Sequence, residues 1–295
     1  CMFSSVTAGA RTVGSDLDAF FMLPVDIPLV RPHTIRCLLE SYERDTADVL
    51  YPTFRGLRGH PPLIAAQLAG HITAWNGSDG LRGALAQWEA GARDLGVADE
   101  HILNDMDTPE SYAGLMEKIK RYQIPTQEEC MALLEIVCPT GSPIIRHGRA
   151  VADLAAVLAG KLNQAGYSLD IDLLSTAALL HDLARAETNH AQAGARLLRE
   201  AGFGAVADLV ASHMDLTPGG EGEISPRELL YLADKLVQGE HLVTLAERFR
   251  TTLERHSHDP AITKKITDRL QAALTIQTRL EATLGCSMTE VLKSP

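Results

Sequence analysis

The sequence predicts two folds in series, an α/β unit over residues 1–122 and an all-α helical bundle over residues 123–295. Three observations carry this. In the first part, short apolar runs alternate with stretches of helical period, the pattern of a mainly parallel sheet flanked by helices. Beyond Tyr122 strand signals are absent and helical periodicity is continuous. Between the two, Tyr122 to Gln127 (YQIPTQ) reads as a junction, with Thr126 opening a helix through a capping box with Glu129. At 295 residues the chain is long enough to bury two cores.

In the first unit, Ala19 to Val25 (AFFMLPV) reads as a buried strand with Asp26 at its C-terminal end, where open α/β sheets bind ligands. Arg31-Pro32 introduces a helix whose Ile35, Leu38 and Leu39 share a face. Asp48 to Tyr51 reads as a second strand. Tyr51 to His60 (YPTFRGLRGH), rich in Gly, Pro and Arg, reads as a functional loop. Pro61–His71 and Leu81–Ala92 are predicted helical, and His101–Asn104 a short strand leading to Asp105-Met106-Asp107-Thr108-Pro109-Glu110. That last run is also a helix start, with Asp107 or Thr108 as cap and Pro109 at the first helical position. His33, His71 and His101 read as surface or satisfied histidines.

The motifs MFSSVTAG (Met2–Gly9), LPVDIPLV (Leu23–Val30), RGHPPLI (Arg58–Ile64) and NDMDTPESY (Asn104–Tyr112) resemble the C-terminal part of the MobA-like nucleotidyltransferases, the molybdopterin cytidylyl- and guanylyltransferases and their relatives. The resemblance implies a Rossmann-like fold in which Asp26 and Asp107 (or Asp105) hold Mg²⁺ against nucleotide phosphates. Two carboxylates suit that task, because Mg²⁺ so held offsets charge on a transferring phosphate. Arg58 and His60 would line the acceptor side, where molybdopterin is the implied partner. Such transferases begin with a glycine-rich, basic phosphate loop that these residues do not contain. The resemblance therefore implies transferase activity for a longer protein rather than for these residues alone. A first residue of Cys1 fits the same expectation.

In the second unit, helices are predicted over about 127–138, 143–165, 170–184, 188–201, 203–213, 225–238, 240–256 and 260–285. Breaks fall at Pro139-Thr140-Gly141, Gly166, Gly202 and Asp215–Gly222. His147 lies in the first turn of a helix whose Val151, Leu154, Ala155 and Leu158 form a buried stripe. His181-Asp182 closes the next long apolar helix. Asp234 stands inside the apolar run LLYLADKLV, where an unpaired charge is costly and a metal is the simplest partner. His190 and His213 bring the potential ligands to six. Imidazole and carboxylate are the side chains that hold a borderline or hard divalent ion.

The order His147, His181-Asp182, His190, His213, Asp234 resembles the HD superfamily of metal-dependent phosphohydrolases, in particular the subgroup with extra histidines that holds two metals. The resemblance implies that His147, His181, Asp182 and Asp234 hold a first ion (Mn, Fe or similar). Asp182 would bridge to a second ion held by His190 and His213. Catalysis would centre on His181, Asp182 and Arg185, with Arg185, Lys235 or Arg146 offsetting phosphate charge. Where the HDIG variant continues Ile-Gly-Lys, this chain has Leu183-Ala184-Arg185, a departure that detaches it from that variant's substrate. His190 could instead cap its helix, and His213 could pack under the following loop. His241, His256 and His258 read as solvent-facing.

A net charge of −11 argues against a nucleic-acid partner bound through a basic surface, though not against a nucleotide. The five scattered cysteines read as reduced thiols of a cytoplasmic protein. No apolar run reaches the ~18 residues of a membrane span, and no export signal is visible. The leading expectation is a metal-dependent phosphohydrolase acting on a nucleotide or other phosphate ester or anhydride, fused to a nucleotidyltransferase-like domain. The alternatives are cytidylyltransferase-type nucleotidyl transfer as the main activity with the helical domain regulatory, or a helical domain that binds nucleotides without turnover.

Overall fold

The structure, a computed structural model, describes residues 2–139, 141–220 and 222–293. Cys1, and Thr140 and Glu221 within two of the expected breaks, lie outside the described residues. The chain forms two compact units, Cys1–Tyr122 and Gln123–Pro295.

The first unit is a mixed α/β layer. After α1 (Met2–Ala10) come β1 (Ala19–Phe21), α2 (Pro32–Arg44), β2 (Val49–Phe54), β3 (Leu57–Arg58), β4 (Leu63–Ala65), α3 (Ala69–Ala74), α4 (Gly80–Leu85), β5 (Ala92–Gly96) and α5 (Pro109–Lys120). The expectation of a mainly parallel sheet is corrected. β2 runs parallel to β5, but β4 is antiparallel to both β1 and β2, and β3 is antiparallel to β2. The reason is local. Arg55 (φ 52°) and Gly56 (φ 80°) both take positive φ, as a two-residue hairpin turn requires, so the chain doubles back on β2 instead of crossing over through a helix. The stretch expected to be a functional loop is thus mostly strand and hairpin, and Leu63–Ala65 is strand where helix was expected. The expected helix over Leu81–Ala92 is α4 followed by a 3₁₀ run, Ala86–Gly91, and β5 begins at Ala92. The expected strand at His101–Asn104 is a 3₁₀ turn, Glu100–Leu103, capped by Asp99.

Strand alternation sends side chains to both faces of this sheet. Leu50 and Leu63 pack on Leu38 of α2, while Val49 and Ile64 pack with Leu68, Ile72 and Leu85 on the other face. Beside them a buried polar knot is fully paired. Asp99 Oδ2 accepts from Arg31 N (2.8 Å) and Thr34 Oγ1 (2.6 Å), and Arg31 Nη1 donates to Tyr122 O (2.8 Å).

The second unit is helical: α6 (Gln127–Val137), α7 (Pro143–Gln164), α8 (Ile171–Leu180), α9 (His190–Glu200), α10 (Gly204–Val210), α11 (Pro226–Lys235), α12 (Leu245–Arg255), α13 (Pro260–Leu284) and α14 (Met288–Lys293). Thr126 and Glu129 form the expected capping box. A small hairpin, β6 (Val237–Gln238) with β7 (His241–Leu242), stands between α11 and α12, because Gly239 at φ 63° reverses the chain where the adjoining ends of two helices, about 225–238 and 240–256, were expected. Every residue of α11 from Glu228 to Lys235 is buried, so α11 is the central helix, and Asp234 is buried in its last turn rather than in mid-helix. α7 buries Val151, Leu154, Ala155 and Leu158 as expected. Cys37, Cys130, Cys138 and Cys286 are free thiols, and among the described residues no helix is long and apolar enough to cross a membrane.

Candidate metal centre

The six ligand candidates of the helical unit meet in one place. α8 ends at Leu180, where helix was expected to about residue 184, so His181 and Asp182 sit in the turn beyond it. His181 Nδ1 lies 2.7 Å from Ala178 O, three residues back, and His213 Nδ1 lies 2.8 Å from Val210 O, also three residues back. Both carbonyls lie in the last turn of their helices, where intrahelical donors run out, and Val210 O accepts from His213 N (3.3 Å) as well. His147, which falls in the second turn of α7 and not the first, places Nδ1 2.9 Å from Gly239 O in the hairpin.

These contacts set the tautomers. A carbonyl oxygen only accepts, so each Nδ1 carries the proton and each Nε2 offers a lone pair. The Nε2 atoms then face carboxylate oxygens, which are acceptors too. Asp234 Oδ1 lies 3.3 Å from His147 Nε2 and 3.5 Å from His181 Nε2. Asp182 Oδ2 lies 3.6 Å from His181 Nε2, and Asp182 Oδ1 lies 3.3 Å from His190 Nε2 and 3.6 Å from His213 Nε2. Acceptors so opposed need a positive charge between them, a proton of the kind Asp234 and Asp182 favour on His181 or a metal ion. His181 Nε2 is fully buried with no hydrogen-bond partner. Among the described residues, the ligand atoms of His147, His181 and Asp182, and those of Asp182, His190 and His213, each lie within 4.8 Å of one another. Asp182 belongs to both groups. The donor set therefore fits one or two divalent ions.

Two protein cations complete the site. Lys235 Nζ lies 2.5 Å from Asp234 Oδ2, 3.3 Å from His213 O and 4.8 Å from the centre of the Tyr231 ring. Arg185 Nη1 spans both oxygens of Asp182 at 2.9 and 3.1 Å. Burial works to raise the pKa of both carboxyls. Lys235, His147 and His181 nonetheless hold Asp234 well below the usual range, and His213, His181 and Arg185 do the same for Asp182. Burial pushes His190 and His213 down. His181 is raised in spite of burial, because Asp234 and Asp182 favour its proton.

The candidate residues of the α/β unit are not drawn into a comparable cluster. Asp26 sits in a turn beyond β1 rather than at the strand end, with Oδ1 buried and unpaired. His60 also has a buried, unpaired Nδ1, and burial lowers its pKa against the opposing pull of the Met22 carbonyl and Asp26. Arg58 is taken up by Asp94 (2.6 Å) and Glu89 (2.8 Å) and stacks on Tyr51. Asp105 and Asp107 are exposed, and Thr108, not Asp107, caps α5, with Ser111 as its reciprocal partner.

One residue of the helical site escaped the sequence reading. A Cβ on Gly148 would stand 2.4 Å from Leu179 O, so this glycine lets α7 cross α8 closely enough to bring His147 to His181. A glycine inside a helix, directly after a ligand histidine, was the available signal.

A family model described as HD domain matches residues 144–273, and one described as MobA-like NTP transferase domain matches residues 1–92. The chain thus carries a MobA-like NTP transferase domain followed by an HD domain. The first match contains Asp26, Arg58 and His60 and ends before Asp105 and Asp107. An uncharacterized protein of Methanocaldococcus jannaschii is 33% identical over 87 residues, which cover 28% of this chain and 50% of that protein. The chain therefore spans about half the length of the curated relative it matches. No solved structure matches significantly.

Proposed function

We propose that the helical unit is a metal-dependent phosphohydrolase acting on a nucleotide or another phosphate ester or anhydride. The observation that carries this reading is Asp182, which belongs to both ligand groups, with Oδ2 facing His181 and Oδ1 facing His190 and His213. His147, His181, Asp182 and Asp234 hold a first ion of the Mn or Fe type, and Asp182, His190 and His213 a second. Such an ion supplies Lewis acidity and lowers the pKa of a bound water from ~15.7 towards ~7. The protein's own residues do the orienting. The carbonyls of Ala178, Val210 and Gly239 fix three imidazole rings with Nε2 inward, as outer partners of metal ligands do. Lys235 fixes Asp234 as the anion. Arg185, about half exposed, offsets charge on the phosphate, whereas Lys235 is committed to Asp234 and Arg146 to Glu240.

The test is elemental analysis of purified protein, followed by a hydrolysis screen of nucleotides and dinucleoside polyphosphates with Mn²⁺. Bound divalent metal is expected, together with a turnover that His181→Ala reduces at least about a hundredfold. Metal-free protein, or activity indifferent to His181→Ala, overturns the reading. Nucleotide binding without product after long incubation supports a binding module instead.

A second reading concerns the α/β unit, favoured by the unpaired buried atoms Asp26 Oδ1 and His60 Nδ1. There Asp26 with Asp107 holds Mg²⁺ against a nucleotide, and His60 and Arg58 face a molybdopterin-type acceptor. Arg58 must first leave Asp94 and Glu89. Loss of Mg²⁺-dependent nucleotide binding in Asp26→Asn checks it.

A further inference from the structure

We propose that Arg185 is an exchangeable cation of the metal centre, competing with metal for Asp182 and turning to the substrate phosphate once metal has displaced it. This rests on the metal-dependent reading above and extends it to regulation of the same site.

The geometry makes the competition direct. The two Asp182 oxygens that face the imidazole Nε2 atoms are the same two that Arg185 Nη1 spans at 2.9 and 3.1 Å. A divalent ion among the imidazoles, whose Nε2 atoms stand 3.3–3.6 Å from those oxygens, would face the guanidinium at short range. Like charges that close repel strongly. One of them must move, and Arg185 is free to do so. Its side chain is 51% exposed and it sits in the turn after α8 rather than within a helix. Lys235, the other cation of the centre, is 7% exposed and held by Asp234, the His213 carbonyl and the Tyr231 ring. Lys235 is therefore the fixed cation and Arg185 the mobile one. A released guanidinium offers a planar, bidentate fork that fits a phosphate at the mouth of the site.

The proposal separates two effects that a merely structural arginine would not separate. Losing Arg185 should strengthen metal binding and weaken phosphate binding. Calorimetry compares wild type, Arg185→Gln, Arg185→Lys and the control Arg199→Gln, a surface arginine paired with Asp208 elsewhere in the same unit. Mn²⁺ is titrated first, then inorganic phosphate into the Mn²⁺-loaded protein. Arg185→Gln is expected to bind Mn²⁺ about fivefold more tightly, the size of a half-exposed ion pair. It should bind phosphate at least about tenfold more weakly. Arg185→Lys should keep Mn²⁺ affinity near wild type, and Arg199→Gln should change neither. Mn²⁺ affinity unchanged or weakened in Arg185→Gln, or unaltered phosphate affinity, overturns the proposal. Wild type that binds no Mn²⁺ overturns the metal-centre reading itself, a result distinct from either.

Discussion

Asp182→Asn should be the most damaging single change to metal binding in the chain, and its contrast with His190→Ala tests the architecture of the site. Asparagine keeps the size of the side chain but removes the charge shared by both ligand groups. Three imidazole Nε2 atoms lie 3.3–3.6 Å from the two Asp182 oxygens, so the change reaches both halves of the centre. Replacing partners that merely orient metal ligands reduces affinity about 10- to 100-fold. A shared ligand should reach at least the upper figure for each ion, about 2.7 kcal/mol apiece. His190 belongs to one group only, so His190→Ala should abolish the second binding event and leave the first within about threefold. Mn²⁺ titration calorimetry reads both stoichiometry and affinity, with circular dichroism to check that the variants are folded. If Asp182→Asn retained wild-type stoichiometry and affinity, or if His190→Ala lost both ions equally, the idea of two groups joined at Asp182 would fail.

Metal affinity should fall with acidity. His181 holds its proton above the usual histidine range despite burial, because Asp234 and Asp182 favour it, so metal must displace that proton. Affinity should drop as pH falls through the raised value and level off above it, with proton release on binding visible as buffer-dependent heats; a flat profile across about pH 6–8 refutes this. Gly148→Ala should destabilise the helical unit by about 1–3 kcal/mol and weaken metal binding, since the new Cβ meets Leu179 O at 2.4 Å. In an unobstructed helix the same change would stabilise, so the sign of the shift in urea midpoint decides it. Glu228 accepts from Ser225 N (2.8 Å), Ser225 Oγ (2.8 Å) and Gly219 N (3.0 Å) and pairs with Arg279. Burial opposes its ionisation, but these partners hold the carboxyl below its usual value. A depressed folded pKa gives stability that is present above the unfolded value and lost as pH falls through the folded one. Glu228→Gln should therefore lower stability by about 1–2 kcal/mol at neutral pH and match wild type in acid; equal denaturation midpoints at neutral pH would contradict this.

Legible in the sequence alone were the division into an α/β and a helical part, the main helices of the second, and the six side chains that the fold gathers as a candidate metal centre. Helical period, caps and ligand chemistry are local properties, and Thr126 with Glu129 or the run ending at His181-Asp182 can be read within a dozen residues. Whatever depends on distant pairing became visible only in the folded chain. Strand direction in the sheet turned on a hairpin at Arg55-Gly56 that composition had disguised as a loop. The position of β5 followed from its pairing with β2 and not from its own weak apolar pattern. At the centre, His147 meets Asp234 across 87 residues of sequence, and Gly148 matters only because Leu179 happens to lie against it. The backbone carbonyls that orient the imidazoles carry no side-chain signature at all. Ligand identity is written in residue type, whereas the lone pairs facing one another across Asp182 and Asp234 exist only when five segments of chain are packed around them.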